Sequence, residues 1–127
     1  MEPEQGSARF HVLVVEDEEV LAKTYGDVLC RAGFSISIAP DFQRALEVLE
    51  ADRPVDLLLT DIVMPSGVNG IALSRMARMR QRGVKVIYIT GHDIPGAETL
   101  ALGPILRKPI DQAVLIAEVT RTLATEQ

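Results

Sequence analysis

Acidic side chains follow two of the apolar runs in this sequence. Glu16 and Asp17 come directly after residues 12–15, and Asp61 comes directly after residues 55–60. Continuous rather than alternating apolar runs are typical of parallel strands that are covered on both faces. If the two strands are neighbours, their carboxyl ends meet at the sheet edge where open α/β folds bind ligands. Crowded carboxylates repel one another unless a cation such as Mg²⁺ neutralises them, so the sequence predicts a divalent-cation site.

Two further polar residues follow predicted strands later in the chain. Thr90 comes after the apolar run 84–89, and Lys108 comes shortly after Ile105 and Leu106. A hydroxyl and an ammonium group can hold phosphoryl oxygens, while Asp61 can act as a nucleophile that the cation and the lysine activate. Together these residues predict phosphoryl-transfer chemistry.

Each of these residues also has an ordinary structural interpretation. Glu16 and Asp17 could cap the helix that follows and complement its dipole. Thr90 could be an ordinary hydroxyl at a strand end, and Lys108 could be a surface charge. A cap, a turn and a surface lysine have no reason to share one sheet edge with Asp61, and this convergence favours the functional interpretation.

The composition limits the possible classes of protein. With 127 residues and 47% hydrophobic residues, the chain has the size of one domain with one core. It has no apolar stretch of roughly 18 residues that could span a bilayer, and its acidic start does not resemble a signal peptide. A net charge of −5 disfavours general attraction to nucleic acid or anionic membranes. We therefore expect a cytoplasmic protein without a nucleic-acid role or membrane insertion.

The hydrophobic periodicity predicts five strands that alternate with five helical segments. Residues 1–9 are polar and are predicted to be a disordered tail, so the domain spans residues 10–125. The apolar spacing indicates helices at about 18–32 and 110–125, and only a short one near 97–102. The run 34–39 alternates serine and isoleucine, which is typical of an edge strand. Alternation of strands and helices predicts a parallel sheet with helices on both faces.

From residue 10 to about residue 123, the sequence resembles the receiver domain of two-component response regulators. The resemblance implies a flavodoxin-like, doubly wound α/β fold with five parallel strands in the order 2-1-3-4-5. It rests on four motifs that occur in the right order at the predicted strand ends: Glu16-Asp17, Asp61-Ile62-Val63-Met64-Pro65, Thr90-Gly91 and Lys108-Pro109.

The resemblance also implies a role for each residue of these motifs. Asp61 would accept a phosphoryl group from a phosphohistidine on a sensor histidine kinase or a histidine phosphotransfer protein. Thr90, the backbone N–H of Gly91 and Lys108 would contact the phosphoryl oxygens, and Pro109 would often follow a cis peptide bond. Mg²⁺ would be held by Asp17, Asp61 and the backbone carbonyl of Val63, and by Glu16 through water.

The sequence departs from the common receiver pattern in several places. The acidic pair is Glu-Asp rather than Asp-Asp, and the loop 65–70 looks one residue longer than usual. The segment from Thr90 to Lys108 is shorter by about one helical turn, so the fourth helix is expected to be short or disordered. Ile105 occupies the position where many receivers carry an aromatic switch residue. Val63 replaces a side chain that is usually polar.

Three functions from different classes remain open at this point. The first is a stand-alone receiver that signals to a downstream protein or passes phosphate along a relay, since no sequence remains for an output domain. The second is a pseudo-receiver that binds a partner constitutively. The third is a Mg²⁺-dependent phosphatase, but Val63 stands where its acid/base carboxylate is expected. We therefore expect the protein to catalyse only its own phosphorylation and dephosphorylation and not to be an enzyme in any other sense.

Overall fold

The chain forms one five-stranded sheet in the computed structural model, which describes residues 9–64 and 69–125. Its strands lie in the order β2-β1-β3-β4-β5, and all neighbours are parallel. The strands are β1 (His11–Val15), β2 (Ser35–Ala39), β3 (Leu57–Asp61), β4 (Lys85–Thr90) and β5 (Ile105–Arg107). The helices are α1 (Glu19–Arg31), α2 (Phe42–Glu50), α3 (Gly70–Arg80), α4 (Ala97–Leu100) and α5 (Gln112–Ala124). The predicted fold class and strand order are confirmed.

The three inner strands owe their position to continuous apolar sequence. Every residue of β1 and β3 is buried, and so is every residue of β4 after the first. In β2, serines alternate with isoleucines and most residues are only partly buried. Since one face of an edge strand has less cover, this alternation fits the observed place of β2 at one side of the sheet.

Successive residues along each strand point to opposite faces, and each face is covered by its own helices. Val12 and Val14 pack in a cluster with residues of α1 and α5, whereas Leu13 and Val15 pack with residues of α2 and α3. Burial of a leucine or valine side chain stabilises a fold by about 1.5–3 kcal/mol. The two clusters therefore fix the strands in one register and hold their carboxyl ends in place.

Polar residues begin three of the helices. Asp41, Asn69 and Asp111 each accept a hydrogen bond from a backbone N–H in the first turn of the helix that follows. Asp41, for example, accepts from the N–H of Arg44 at 2.9 Å. These caps satisfy N–H groups that have no partner within a helix. The capping residue Asn69 places the start of α3 beside the end of β3.

The observed element boundaries differ from the predicted ones by one or two residues. Asp61 and Thr90 are the last residues of β3 and β4 rather than the residues that follow them. The fourth helix is short, as predicted, with four residues. The predicted tail, apart from Arg9, and most of the predicted long loop after Met64 lie outside the described residues. Among the helices that the structure describes, none has the length and apolar character required to cross a bilayer.

Candidate functional site

The carboxyl ends of β1, β3, β4 and β5 surround a cavity of about 210 Å³. Its position follows from the parallel order of the sheet, because β3 lies between β1 and β4 and all four strands end at the same edge. All seven residues that the sequence predicted for the site line this cavity: Glu16, Asp17, Asp61, Val63, Thr90, Gly91 and Lys108. The predicted convergence at one edge is therefore present in the structure.

Three carboxylates form an acidic cluster on one side of the cavity. Oxygens of Glu16, Asp17 and Asp61 lie within 4.8 Å of one another. Glu16 and Asp61 are 1% and 3% exposed, while Asp17 is exposed to solvent. Carboxylate oxygens at this spacing suit Mg²⁺, a hard cation that prefers oxygen ligands and retains part of its water shell. The exposed Asp17 leaves one side of the cluster open for such a hydrated ion.

Lys108 provides the positive charge nearest to this cluster. Its ammonium nitrogen lies 3.1 Å from Glu16 Oε1 and 3.1 Å from Asp61 Oδ1. Neither contact has hydrogen-bond geometry, so within the described part of the chain these two buried oxygens have no directed donor. The Lys108 backbone N–H donates to the Thr90 carbonyl at 2.9 Å, which fixes Lys108 directly after β5. The Lys108–Pro109 peptide bond is cis.

The charges at this sheet edge shift the titration of its residues. Burial raises the pKa of Asp61 most, and the nearby Glu16 raises it further, to about 7. Burial alone would lower the pKa of Lys108, but its contacts with Asp61 and Glu16 outweigh burial and raise that pKa above the ordinary value. One ammonium group thus serves two buried carboxylates. Against the three carboxylates of the cluster, this one ammonium group leaves a deficit of two positive charges, which a divalent cation would supply.

Thr90 and Gly91 close the opposite side of the cavity. The Thr90 hydroxyl donates to the His92 carbonyl and accepts from the His92 N–H, both at 3.1 Å. To bind a phosphoryl oxygen, this hydroxyl must leave the His92 carbonyl. A Cβ on Gly91 would meet only Lys108 Cδ, at 4.0 Å, so the space beside this backbone is open to a ligand. His92, two residues after Thr90, also lines the cavity.

Two apolar residues of the predicted motif turn in opposite directions after β3. Val63 is 51% exposed and lines the cavity, whereas Met64 is 8% exposed and packs in the core with Leu13 and Leu58. The cavity therefore has an exposed apolar side chain at its mouth. This side chain offers no hydrogen bond to water that approaches Asp61.

Glu18 is a site residue that the sequence reasoning missed. It lines the cavity, and its backbone N–H donates to Glu16 Oε2 at 3.0 Å. Its place directly after the acidic pair was the available signal. Helix α1 begins after Glu18 without a side-chain cap, so the interpretation of Glu16 and Asp17 as mere capping residues lacks support.

A second cavity of about 420 Å³ adjoins the first beneath α4. The two cavities share Thr90 and His92, and the partly buried Ile105 of β5 lines only the second. The second cavity thus leaves unfilled volume between Thr90 and Ile105. Any movement of Thr90 therefore has free volume next to it.

Comparison with known sequences shows one family over nearly the whole chain. A family model described as the response regulator receiver domain matches residues 12–120. The transcriptional regulatory protein CseB of Streptomyces coelicolor is 34% identical over 117 residues, which cover 89% of this chain and 49% of CseB. FixJ of Azorhizobium caulinodans is 32% identical over 118 residues, which cover 88% of this chain and 54% of FixJ. The chain thus spans about half the length of these curated relatives.

Comparison with solved structures shows the same fold. A response regulator receiver protein from Sinorhizobium medicae superposes with a TM-score of 0.87 at 26% identity and covers 96% of this chain and all of that one. A CheY-like receiver domain protein from Methanospirillum hungatei superposes with a TM-score of 0.83 at 22% identity, over 91% and 94% of the two chains. The second likeness concerns the fold alone.

Proposed function

This chain belongs to the response regulator receiver family, and from that premise we propose that Asp61 accepts a phosphoryl group in a Mg²⁺-dependent reaction. The donor would be a phosphohistidine on a sensor histidine kinase or a histidine phosphotransfer protein. The observation that carries the proposal is the place of Asp61, whose carboxylate lies at the end of β3 in a cavity, 3.1 Å from the Lys108 ammonium. We assign residues 10–125 to the receiver domain.

The transfer exchanges one bond for another. An Asp61 carboxylate oxygen forms a bond to phosphorus, the bond between phosphorus and the donor imidazole nitrogen breaks, and that nitrogen keeps the electron pair. Lys108 would hold one phosphoryl oxygen, and the Thr90 hydroxyl another after it leaves the His92 carbonyl. The Gly91 N–H would hold an oxygen from the open side of the cavity.

The donor set of the acidic cluster fits Mg²⁺. Asp17, Asp61 and the backbone carbonyl of Val63 would be its ligands, and Glu16 would act through water. The buried Glu16 Oε1 and Asp61 Oδ1 lack a directed hydrogen-bond donor among the described residues, so a cation there would complete an unsatisfied site. When bound, Mg²⁺ neutralises charge on the phosphoryl oxygens and on the carboxylates.

Output would follow through protein contact or a phosphorelay. The chain carries a net charge of −5, so we assign the receiver no direct contact with nucleic acid and no insertion into a membrane. Sensor kinases draw phosphate from cellular ATP, and we therefore place the protein in the cytoplasm. Its catalysis would be limited to gain and loss of its own phosphoryl group.

Intact mass after incubation with Mg²⁺ and acetyl phosphate tests the proposal. We expect one added phosphate on the wild-type chain, none on Asp61→Asn, and one on the matched control Asp56→Asn, which lies at the other end of β3. Labelling of Asp61→Asn to the wild-type level would overturn the assignment of the acceptor.

A pseudo-receiver is the second candidate, and one feature favours it: the Thr90 hydroxyl is already hydrogen-bonded within its own turn. The same experiment separates the candidates. No added mass on the wild-type chain would indicate a constitutive binding module. Continuous release of phosphate without a stable adduct would indicate a phosphatase.

A further inference from the structure

A chain of buried and partly buried hydrogen bonds crosses the sheet face between α3 and the connection that leads from α4 to β5. Leu102 N–H donates to the Tyr88 hydroxyl at 3.0 Å, and the hydroxyls of Tyr88 and Ser74 lie 2.6 Å apart. Ser74 donates to the Ile71 carbonyl at 2.7 Å. Tyr88 and Ser74 are both fully buried.

The direction of this chain follows from its two ends. A backbone N–H can only donate and a carbonyl can only accept, so Leu102 donates and Ile71 accepts. Since Ser74 gives its proton to Ile71, Tyr88 gives its proton to Ser74. The Tyr88 hydroxyl thus accepts one hydrogen bond, from Leu102, and donates one, to Ser74. We call this ordered chain of three hydrogen bonds the relay. Such a network in a buried setting is rigid, because breaking any link leaves an unpaired polar group.

At the α3 end, the relay begins beside the proposed phosphoryl acceptor. Ile71 lies in the first turn of α3, next to Gly70. A Cβ added to Gly70 would lie 1.9 Å from the carbonyl oxygen of Asp61, and the Gly70 N–H donates to the Ile62 carbonyl at 2.7 Å. The first residue of α3 therefore lies directly against the backbone of Asp61, with no room for a side chain between them.

At its other end, the relay holds the connection that follows α4. Gly103 comes directly after Leu102, and a Cβ on it would lie 1.8 Å from the carbonyl oxygen of Val86 in β4. The side chain of Arg75, also on α3, donates to the Leu100 carbonyl at 3.1 Å. The helix α4 has only four residues and buries only Ala97. Ala101 and Leu102 also pack against the apolar cluster that contains Ile71 and Tyr88. The connection is therefore held by hydrogen bonds, by close backbone contact and by this apolar packing together.

We propose that the relay through Tyr88 couples the backbone at Asp61 to the α4–β5 connection, so that a change at Asp61 alters the position of residues 101–103 through α3. This inference rests on the proposed function for its biological use, but the coupling is a property of the fold and needs no phosphate. The route lies within one packed face and does not pass through Lys108. Its two-state element is the hydrogen bond from Leu102 to Tyr88, which is either made or broken.

Tyr88→Phe removes the hydroxyl and keeps the ring, so it tests the relay with little change in packing. The perturbation is Asp61→Asn, which changes the charge at the site without any phosphodonor. We expect Asp61→Asn to shift the amide resonances of residues 101–103 in the Tyr88 background, and to shift them by less than half as much in the Tyr88→Phe background. Equal shifts in both backgrounds, or no shift in the Tyr88 background, would overturn the proposal.

A matched control is available on the opposite face of the sheet. Tyr25 is also buried, at 4% exposure, but packs in the cluster formed with α1 and α5. Tyr25→Phe should leave the effect of Asp61→Asn on residues 101–103 unchanged, and a loss of coupling in this variant equal to that in Tyr88→Phe would refute a specific route. Ser74→Ala breaks the next link and should reproduce Tyr88→Phe, which keeps the test decisive if that variant folds poorly.

A second measurement separates this inference from the proposed function. Beryllium fluoride with Mg²⁺ serves as a mimic of the phosphoryl group. If it shifts the Gly91 amide in wild type and in Tyr88→Phe alike, while the shifts of residues 101–103 in Tyr88→Phe are less than half of those in wild type, both proposals are supported. If it shifts no amide in either protein, the proposed function fails, and the Asp61→Asn comparison still decides the coupling.

Discussion

The two ends of β1 carry buried ionisable groups in opposite conditions. At the amino end, His11 is 3% exposed, and its ring nitrogens lie 2.8 Å from the Pro54 carbonyl and 2.8 Å from the Ser37 hydroxyl. Its backbone N–H donates to Asp56 at 2.7 Å. At the carboxyl end, Glu16 is 1% exposed, yet Oε1 has no directed donor among the described residues. At the amino end, the buried polar atoms of His11 all have partners within the chain. At the carboxyl end, a buried carboxylate oxygen lacks one.

This difference indicates that the amino end of β1 serves stability and that its carboxyl end serves the proposed function. The Pro54 carbonyl can only accept, so His11 Nδ1 carries a proton, and in the neutral ring Nε2 then accepts from the Ser37 hydroxyl. Burial lowers the pKa of His11 and favours that neutral form. Burial raises the pKa of Asp61 at the other end, where the charged form is the one that would bind the proposed cation. The hydrogen-bonded His11 therefore contributes to stability, whereas Glu16 and Asp61 are available to the proposed ligand.

His11→Ala should have the largest effect on stability, because it removes a buried ring and leaves the Ser37 hydroxyl and the Pro54 carbonyl without their partner. We expect a loss of about 2–4 kcal/mol in the free energy of unfolding, measured by urea denaturation. Ser35→Ala, on the same strand as Ser37, is the matched control and should cost less than roughly 0.5 kcal/mol. A loss for His11→Ala as small as that of the control would break the comparison.

Asp17→Ala tests whether the carboxyl end is completed by a cation. The substitution removes one of the three clustered carboxylates and should lower the affinity for Mg²⁺ by roughly tenfold to a hundredfold, measured by calorimetry. Glu19→Ala removes an exposed carboxylate two residues further along, outside the cluster, and should leave the affinity within about twofold. Equal Mg²⁺ binding by wild type and Asp17→Ala would show that the cluster is not the binding site.

Asp61→Asn should stabilise the metal-free protein, because it removes a buried charge that shares one ammonium group with Glu16. We expect a gain of about 1–2 kcal/mol at pH 8 in EDTA. The pKa of Asp61 is raised from 3.8 to about 7, so the folded chain binds the proton more tightly than the unfolded one. The cost of the charge therefore grows as the pH rises from about 4 to 7, and the gain from Asp61→Asn should grow with it.

His11 gives the opposite dependence on pH over part of that range. A histidine whose pKa is lowered by folding contributes stability above its ordinary value of 6.5, and this stability is lost as the pH falls. Below pH 6.5, the stability of Asp61→Asn should therefore fall with pH more steeply than that of the wild-type protein. Parallel pH profiles for the two proteins would contradict the assignment of the raised pKa to Asp61.

The sequence predicted the carboxyl end of the sheet well because its signals are local. Residues such as Glu16 and Asp61 follow apolar runs directly, and a parallel sheet brings the ends of such runs together. Gly33 has a φ of 104° after α1, and a glycine at such a position is itself a local signal of a helix end. The sequence therefore indicated whether each element is a helix or a strand, but it did not indicate where each element ends. The last turn of a helix and the last paired residue of a strand depend on tertiary contacts.

The amino end and the Tyr88 relay were not predicted, and the reason is physical. His11 finds Pro54 and Ser37 at sequence separations of 43 and 26 residues, and Tyr88 finds Ser74 and Leu102 at separations of 14. No periodic pattern encodes such pairs, since they depend on the register of neighbouring elements. The hydrogen bonds of the Thr90 hydroxyl likewise depend on the backbone conformation from Thr90 to His92.

Val63→Asn should give the smallest effect, and it concerns the lifetime of the proposed acyl phosphate. Hydrolysis requires a water molecule in line with the bond between Asp61 and phosphorus, and the exposed valine at the cavity mouth offers that water no hydrogen bond. An asparagine amide would hold the water, so we expect decay about two- to tenfold faster, equivalent to roughly 0.4–1.4 kcal/mol in the barrier. Val63→Thr, similar in shape but with a hydroxyl, should fall between the two. Decay in Val63→Asn that is unchanged or slower, followed by intact mass over time, would show that water placement beside Val63 does not limit hydrolysis.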